Sequence, residues 1–175
     1  MVESADTPLP VPSSAMWLPG TALNCYESDP AVRDWLLTPG LLTQRIKSAA
    51  GSAFAMHVLG EHLHEQVFIR EIDMCCGMDV WLFAHTRVPQ TTALNHPWLT
   101  TIGNRSLGEA LGEHGHVERA AFRYAKLQAD VWLVQRALHH AKVAPAPLWV
   151  RHSAFALGSD GFDLYEVFLP QLAQQ

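Results

Sequence analysis

Two stretches of the chain each contain a pair of alternating apolar segments joined at glycine. The first spans residues 65–89 and turns near Gly77, and the second spans residues 148–169 and turns at the segment GSDG, residues 158–161. Segments of this kind predict β-hairpins, in which the two strands run antiparallel. Two hairpins in a chain of 175 residues therefore favour an antiparallel sheet over a parallel one.

The rest of the sequence adds shorter elements to these hairpins. Apolar alternation predicts two more strands, which gives six in all: 52–59, 66–75, 79–88, 117–124, 148–157 and 161–169. Capping residues and helical periodicity predict short helices over 29–38, 41–51, 105–113 and 128–141. We therefore predict an α+β fold with a six-stranded, mostly antiparallel sheet and short helices on one side.

Composition limits the domain organisation and the classes of partner. Residues 1–28 are rich in proline and serine, which predicts an irregular N-terminal arm, and residues 29–175 are predicted to form a single domain. The net charge of −5, without a basic stripe, argues against nucleic-acid binding. The N-terminus lacks the apolar core of a signal peptide, and no apolar run is long enough for a membrane span. We predict a cytoplasmic monomer.

Histidines and cysteines raise the question of a metal site. Three cysteines provide no disulfide framework, although Cys75 and Cys76 are adjacent. The histidine clusters have spacings that match no closed metal site: HLH at 62–64, EHGH at 113–116 and HH at 139–140. We predict that the protein binds no metal.

Charged residues interrupt the apolar faces of two predicted strands. Alternation places Arg70 between Phe68 and Ile72 on one face of its strand, and Glu166 between Leu164 and Phe168 on one face of another. An isolated buried charge is too costly to tolerate, so each residue needs a partner. The two side chains pair with each other, or they face solvent, or they line a cavity and bind a ligand carboxylate and a ligand hydroxyl. The pattern alone does not choose between these interpretations.

An ordered set of motifs narrows the choice. Seven motifs occur in order from about residue 30 to 170: DWLL (34–37), LTQR (42–45), REI (70–72), WLFAHTRVP (81–89), SLGEAL (106–111), LWVRHS (148–153) and LYEVFLP (164–170). Together they resemble the chorismate lyases of bacterial ubiquinone biosynthesis. The resemblance implies a six-stranded antiparallel sheet and a ligand enclosed beneath helical flaps. It also implies cleavage of chorismate to 4-hydroxybenzoate and pyruvate without a cofactor, with chorismate and 4-hydroxybenzoate as the small-molecule partners.

The resemblance also assigns roles to four residues. The carboxylate-binding arginine of the family falls on Arg70, and the acidic residue that contacts the ring hydroxyl falls on Glu166; both are expected to be catalytic. Two further substrate contacts, from the main chain of the flaps, fall on Leu42 and Leu107. His85 departs from the family, which commonly has arginine there, so any second anion contact at that position is in doubt.

Two alternatives to this function remain at the sequence level. One is a non-catalytic sensor of hydroxybenzoate-like molecules, because related folds serve as effector domains of transcription regulators. Such regulators carry a DNA-binding domain ahead of this fold, whereas only about 28 irregular residues precede the first predicted helix here. The other is a lyase that acts on a related substrate, which the histidine at position 85 keeps open.

Overall fold

A mostly antiparallel sheet with short helices forms the structure. The computed structural model describes residues 10–39 and 42–174. Within these ranges the strands are β1 (Leu18–Pro19), β2 (Phe54–His64), β3 (Val67–Cys76), β4 (Asp79–Pro89), β5 (Glu118–Arg119), β6 (Arg123–Leu127), β7 (Leu148–Leu157) and β8 (Asp160–Phe168). The α-helices are α1 (Leu23–Tyr26), α2 (Pro30–Leu36), α3 (Leu42–Ala50), α4 (Gln90–Asn95), α5 (Leu107–Glu113) and α6 (Trp132–Ala141). Residues 1–9 of the predicted arm and the helix stop predicted at Gly40 lie outside the described residues.

The strand order brings the two predicted hairpins together in the middle of the sheet. The order is β1-β6-β7-β8-β4-β3-β2, with β5 also paired to β7, and all pairs are antiparallel. The hairpins are β3–β4 and β7–β8, and they join through the pairing of β4 with β8. Four strands from distant parts of the sequence therefore form one continuous surface.

The α+β class and the antiparallel sheet are confirmed, but the sheet has eight strands where the sequence predicted six. The six strands of five or more residues correspond to the six predictions. The additional strands, β1 and β5, have two residues each, which is too short to produce an alternating pattern. The strand predicted over 117–124 is divided between β5 and β6.

Helices cover both faces of the sheet, so the prediction of helices on one side was wrong for α6. Leu42 and Ile46 of α3 pack in one apolar cluster with Ile72 and Leu82, whereas α6 packs in another with the opposite side of the central strands. In that second cluster Phe83, Val150 and Val167 contact apolar residues of α6 such as Leu133 and Val134. The central strands are apolar on both faces, so each face requires a cover. None of the helices in the described ranges has the length and apolar content needed to cross a membrane.

The helix starts predicted from capping residues are observed. Asp29 accepts a hydrogen bond from the backbone N–H of Ala31 at the start of α2. Ser106 precedes α5 and forms a capping box with Glu109. These interactions satisfy backbone donors that a helix cannot satisfy internally, and they fix where each helix begins.

A buried carboxylate anchors the segment before α2 to the sheet. Glu27 accepts hydrogen bonds from the Trp149 indole at 2.7 Å, from Lys126 at 3.0 Å and from the backbone N–H of Asp29 at 3.0 Å. Burial opposes ionisation of Glu27, but these hydrogen bonds outweigh it and lower its pKa to about 2. The anchor holds the N-terminal end of α2, and the C-terminal end of this helix contributes to the site described below.

A second charged network lies on the face covered by α6, and it includes His85. Glu71 and His85 are 1% and 0% exposed, and His85 Nδ1 lies 3.2 Å from Glu71 Oε1. Arg136 of α6 donates to both oxygens of the same carboxylate. Burial lowers the pKa of His85, which favours its neutral form. His85 therefore contacts Glu71, and it points away from the face that carries Arg70.

The Glu71 network makes a testable contribution to stability. Burial opposes ionisation of Glu71, but hydrogen bonds from His85 and Arg136 lower its pKa from 4.5 to about 2. The stabilisation is therefore fully present above pH 4.5 and is lost as the pH falls through 2. We expect Glu71→Gln to reduce the free energy of unfolding at pH 7 by roughly 3 kcal/mol, and the difference from wild type to shrink toward pH 2. Urea denaturation across this pH range measures both terms, and a difference that is independent of pH contradicts the assignment.

Candidate functional site

The face opposite α6 carries a chamber whose floor is a regular patch of the four central strands. In one row, Arg70 of β3 is paired with Thr86, Thr86 with Leu164, and Leu164 with Ser153 of β7. In the next row the corresponding residues are Ile72, Ala84, Glu166 and Arg151. All eight line the chamber. Arg70 and Glu166 therefore share a face, two strands apart, which places their Cα atoms roughly 12 Å from each other.

Two helices form the roof of this chamber. Leu42 and Thr43 come from α3, and Leu107 and Leu111 come from α5. Leu42 and Leu107 are 4% and 5% exposed, and each is the first residue of its helix, where backbone N–H groups have no acceptor within the helix. The empty space is about 590 Å³, counted together with its opening to solvent.

An exposed ion pair connects the two roof helices. Lys47 of α3 lies 2.6 Å from the Glu109 carboxylate of α5, and both side chains are about two-fifths exposed, at 43% and 39%. Surface pairs of this kind contribute little to stability. The connection between α3 and α5 is therefore easily opened.

Arg70 is buried and is held by three hydrogen bonds. Its Nε donates to Glu61 at 2.8 Å, and its Nη2 donates to the carbonyl oxygens of Gly103 and Arg105, both at 2.8 Å. Burial lowers the pKa of Arg70, which Glu61 offsets in part, and a guanidinium remains protonated at neutral pH. These contacts fix the guanidinium and also fix the segment that leads into α5.

Glu166 is paired with Arg151 rather than with Arg70. Arg151 donates from Nε to Glu166 Oε2 at 2.6 Å and from Nη2 to Oε1 at 3.0 Å, which is the bidentate arrangement. Its Nη1 donates to the carbonyl oxygen of Thr38 at 3.1 Å, just beyond α2. Each carboxylate oxygen can accept more than one hydrogen bond, so the paired Glu166 can still accept from a ligand.

The structure brings all four of the residues that the sequence singled out to one chamber. Arg70, Leu42, Leu107 and Glu166 all line it. Two of the three interpretations left open for the charges do not hold, because Arg70 and Glu166 are 2% and 7% exposed and each pairs with a different residue. The roles assigned to the four residues remain predictions.

Sequence reasoning assigned no role to five other polar residues of the chamber, namely Thr43, Thr86, Arg119, Arg151 and Ser153. Alternation along β7 could have identified two of them, because Arg151 and Ser153 share one face of that strand. Arg119 lies in a strand of two residues and gives no such signal.

Another cluster of polar side chains lies away from the chamber, at His57, Asp73 and Cys75. Their potential metal ligand atoms lie within 4.8 Å of one another, and His57 Nδ1 is 2.7 Å from Asp73. Burial and the Asp73 carboxylate raise the pKa of the Cys75 thiol to about 12, so it is protonated at neutral pH. The absence of a bound metal remains a prediction, because a metal ion would itself lower the pKa of a coordinating thiol.

An antiparallel sheet with an arginine-lined chamber beneath two helices is an arrangement suited to a small anionic ligand. Comparison with known proteins identifies which group of such proteins this is. The family model described as chorismate lyase matches residues 11–175. The chain belongs to the chorismate lyase family.

Individual relatives extend over most of the chain. A "Probable chorismate pyruvate-lyase" of Nitrosospira multiformis is 32% identical over 162 residues, which cover 83% of this chain and 89% of that protein. Proteins of the same description from Thiobacillus denitrificans and Pseudomonas aeruginosa are each 31% identical, and the matches cover 89% and 94% of this chain and 89% and 97% of those proteins. The solved structure of the possible transcriptional regulator YydK from Bacillus subtilis aligns with a TM-score of 0.48 at 9% identity, over 69% of this chain and 60% of that one, which is too distant to support an argument about function.

Proposed function

We propose that this protein cleaves chorismate to 4-hydroxybenzoate and pyruvate inside the chamber. Membership of the chorismate lyase family supports this activity. The structural observation that carries it is the buried pair of opposite charges on one face of the sheet, Arg70 and Glu166, each held in place by a separate partner. A guanidinium at one end and a carboxylate further along match the acidic and hydroxyl ends of one ring.

Arg70 is proposed to bind the ring carboxylate. A guanidinium carries a permanent positive charge and five N–H donors in one plane, so it can hold protein acceptors and a ligand carboxylate at the same time, which lysine cannot reproduce. Nε and Nη2 of Arg70 are occupied by Glu61 and by two carbonyl oxygens, and within the described ranges Nη1 donates to no protein acceptor. The ligand carboxylate is therefore expected to meet Nη1, and its second oxygen meets the main chain of the flaps at Leu42 and Leu107.

Glu166 is proposed to accept a hydrogen bond from the hydroxyl at the other end of the ring. Both of its oxygens already accept from Arg151, which fixes the position of the carboxylate. A group that is fixed in this way is suited to orienting the hydroxyl. We assign Glu166 this orienting role and assign the proton transfer to the reacting molecule itself.

The reaction needs little covalent participation from the protein. The bond between the ring carbon and the ether oxygen breaks, and the hydrogen of the hydroxyl-bearing carbon passes as a proton to the methylene carbon of the departing enolpyruvyl group. The ring becomes aromatic, and the departing group becomes pyruvate. The chamber holds the side chain in a reactive geometry and excludes water from it. We propose that the monomer is the active form. Opening of the roof, across the exposed Lys47–Glu109 pair, is the expected route of product release.

The activity is tested by direct assay. Purified protein mixed with chorismate in the presence of a metal chelator is expected to release pyruvate and 4-hydroxybenzoate in equal amounts, because no step requires a metal. Coupled reduction of pyruvate and absorbance of the aromatic product measure the two independently. Tight binding of 4-hydroxybenzoate with no turnover of chorismate would instead support the sensor. The absence of both binding and turnover would support a different substrate.

A further inference from the structure

Arg119 lies at the end of the chamber furthest from Arg70. β5 pairs with β7 so that Arg119 is opposite Phe155, and both residues line the chamber. Phe155 shares a face of β7 with Ser153, because alternate residues of a strand point to the same side. Across the sheet the polar residues therefore follow the order Arg70, Glu166, Ser153 and Arg119.

Among the described residues that line the chamber, Arg119 is the cation without a carboxylate partner. Its guanidinium stacks on the ring of Phe122, with Cζ 4.1 Å from the ring centroid, and donates one long hydrogen bond of 3.5 Å to the carbonyl of Pro39. Arg70 and Arg151 each pair with a glutamate. Arg119 is exposed at the edge of the chamber, so water solvates its charge, and the guanidinium remains available to an anionic ligand.

A second guanidinium lies near that of Arg119. The Cζ of Arg151 is 4.2 Å from the centroid of the same Phe122 ring, and that of Arg119 is 4.1 Å from it. The two Cζ atoms therefore lie at most about 8 Å apart. Burial and the charge of Arg151 both lower the pKa of Arg119. An anion bound at Arg119 is attracted by its charge, and the positive charge of Arg151 is already neutralised by Glu166.

Ser153 provides an unused hydroxyl at the same end. The residue is 1% exposed and lines the chamber, and within the described ranges its buried Oγ has no hydrogen-bond partner. Buried polar groups in native proteins are nearly always hydrogen-bonded, so an orphaned hydroxyl in a chamber indicates a ligand atom or a water. Ser153 is two residues along β7 from the position opposite Arg119, a diagonal separation that a long side chain can bridge.

We propose that Arg119 and Ser153 bind the carboxylate of the enolpyruvyl side chain of chorismate. This inference rests on the proposed function and extends it to the second carboxylate of the substrate. The side chain is attached to the ring carbon next to the one that carries the hydroxyl. With the ring carboxylate at Arg70 and the hydroxyl at Glu166, the side chain extends over β7 toward Ser153 and Arg119.

The arrangement gives the protein a way to distinguish substrate from product. 4-Hydroxybenzoate retains the ring carboxylate and the hydroxyl but has lost the second carboxylate. Arg70 and Glu166 therefore hold both molecules, whereas Arg119 favours chorismate alone. Such a contact raises the preference for substrate without tightening the binding of product.

Two unreactive ligands isolate this contact. Both are 4-hydroxybenzoates with a substituent beside the hydroxyl, a carboxymethoxy group in one and the neutral, similarly shaped carbamoylmethoxy group in the other. Calorimetry is expected to show that wild type binds the acid more tightly than the amide by roughly 10- to 100-fold. Arg119→Gln removes most of that preference and leaves the dissociation constant of 4-hydroxybenzoate unchanged, whereas Arg119→Lys retains part of it.

Two further variants complete the test. Arg123→Gln is the matched control, because Arg123 is exposed and is paired with His152, whose side chain lies on the other face of β7. This variant is expected to bind both ligands as wild type does. Ser153→Ala is expected to weaken the binding of the acid several-fold and to leave the binding of 4-hydroxybenzoate unchanged.

The outcomes separate the inference from the proposed function. Equal preference for the acid in wild type and Arg119→Gln, or no preference in wild type, overturns the inference whether or not chorismate is turned over. Loss of the preference in Arg119→Gln supports the subsite even if wild type fails to cleave chorismate, in which case the proposed function alone fails. In an active enzyme, kcat/KM for chorismate must fall in Arg119→Gln by a similar factor.

Discussion

Replacing Arg70 with alanine is expected to lower kcat/KM for chorismate by roughly 30- to 5,000-fold while the protein remains folded. Removing one partner of a buried charge interaction typically costs about 2–5 kcal/mol, and each 1.36 kcal/mol corresponds to about tenfold in rate. Arg70 also donates to the carbonyls of Gly103 and Arg105 before α5. Its loss therefore removes the carboxylate contact and loosens one side of the roof.

Two variants separate these effects. Arg70→Lys retains the charge but not the planar fork, and we expect it to recover only a small part of the activity. Glu61→Gln breaks the same ion pair and retains the guanidinium, so it tests whether the pair is needed for structure alone. We expect it to bind 4-hydroxybenzoate at least as tightly as wild type, because the charge of Arg70 is then less neutralised. Near-normal kcat/KM in Arg70→Ala would contradict the proposed carboxylate contact.

The second large effect is expected from Arg151→Ala, which should reduce the free energy of unfolding by about 3–5 kcal/mol and abolish turnover. Arg151 and Glu166 are 2% and 7% exposed, so the substitution leaves a buried carboxylate without its two guanidinium hydrogen bonds. It also frees the Thr38 carbonyl beyond α2. Urea denaturation and the chorismate assay measure the two consequences.

A double variant distinguishes stability from catalysis at this pair. Replacing Arg151 with methionine and Glu166 with leucine leaves no unpaired charge, and apolar replacements of a buried pair are often neutral or stabilising. We expect the double variant to recover most of the stability lost in Arg151→Ala and none of the activity. An Arg151→Ala protein that is within about 1 kcal/mol of wild type would show that the pair contributes little to stability.

Features set by local sequence were predictable. Alternation placed Arg70 and Glu166 among apolar neighbours on one face of each strand without showing that this face points inward, and the chamber contains both. Capping candidates, Ser28 or Asp29 and Asn104 or Ser106, indicated where α2 and α5 begin to within two residues, and the structure selects Asp29 and Ser106. These features depend on the geometry of one strand or one helical turn, which neighbouring residues determine.

The partners of the charges were not predictable in the same way. Arg70 pairs with Glu61 across the β2–β3 pairing, whereas Glu166 pairs with Arg151 across β7–β8. The role of Arg119 depends on a strand of two residues that contacts β7. Which side of the sheet α6 covers depends on how the chain crosses over after β6.

The sequence by itself therefore determined the hairpins, the approximate helix starts and the positions of two charges among apolar neighbours, because periodicity and capping act over a few residues. The tertiary structure decided that these charges point inward and belong to one chamber, because the pairing of β4 with β8 joins hairpins that are about 60 residues apart in the chain. It also decided which arginines of the chamber are paired with a protein carboxylate and which is not. That choice depends on distances between side chains of different strands, and no local pattern records it.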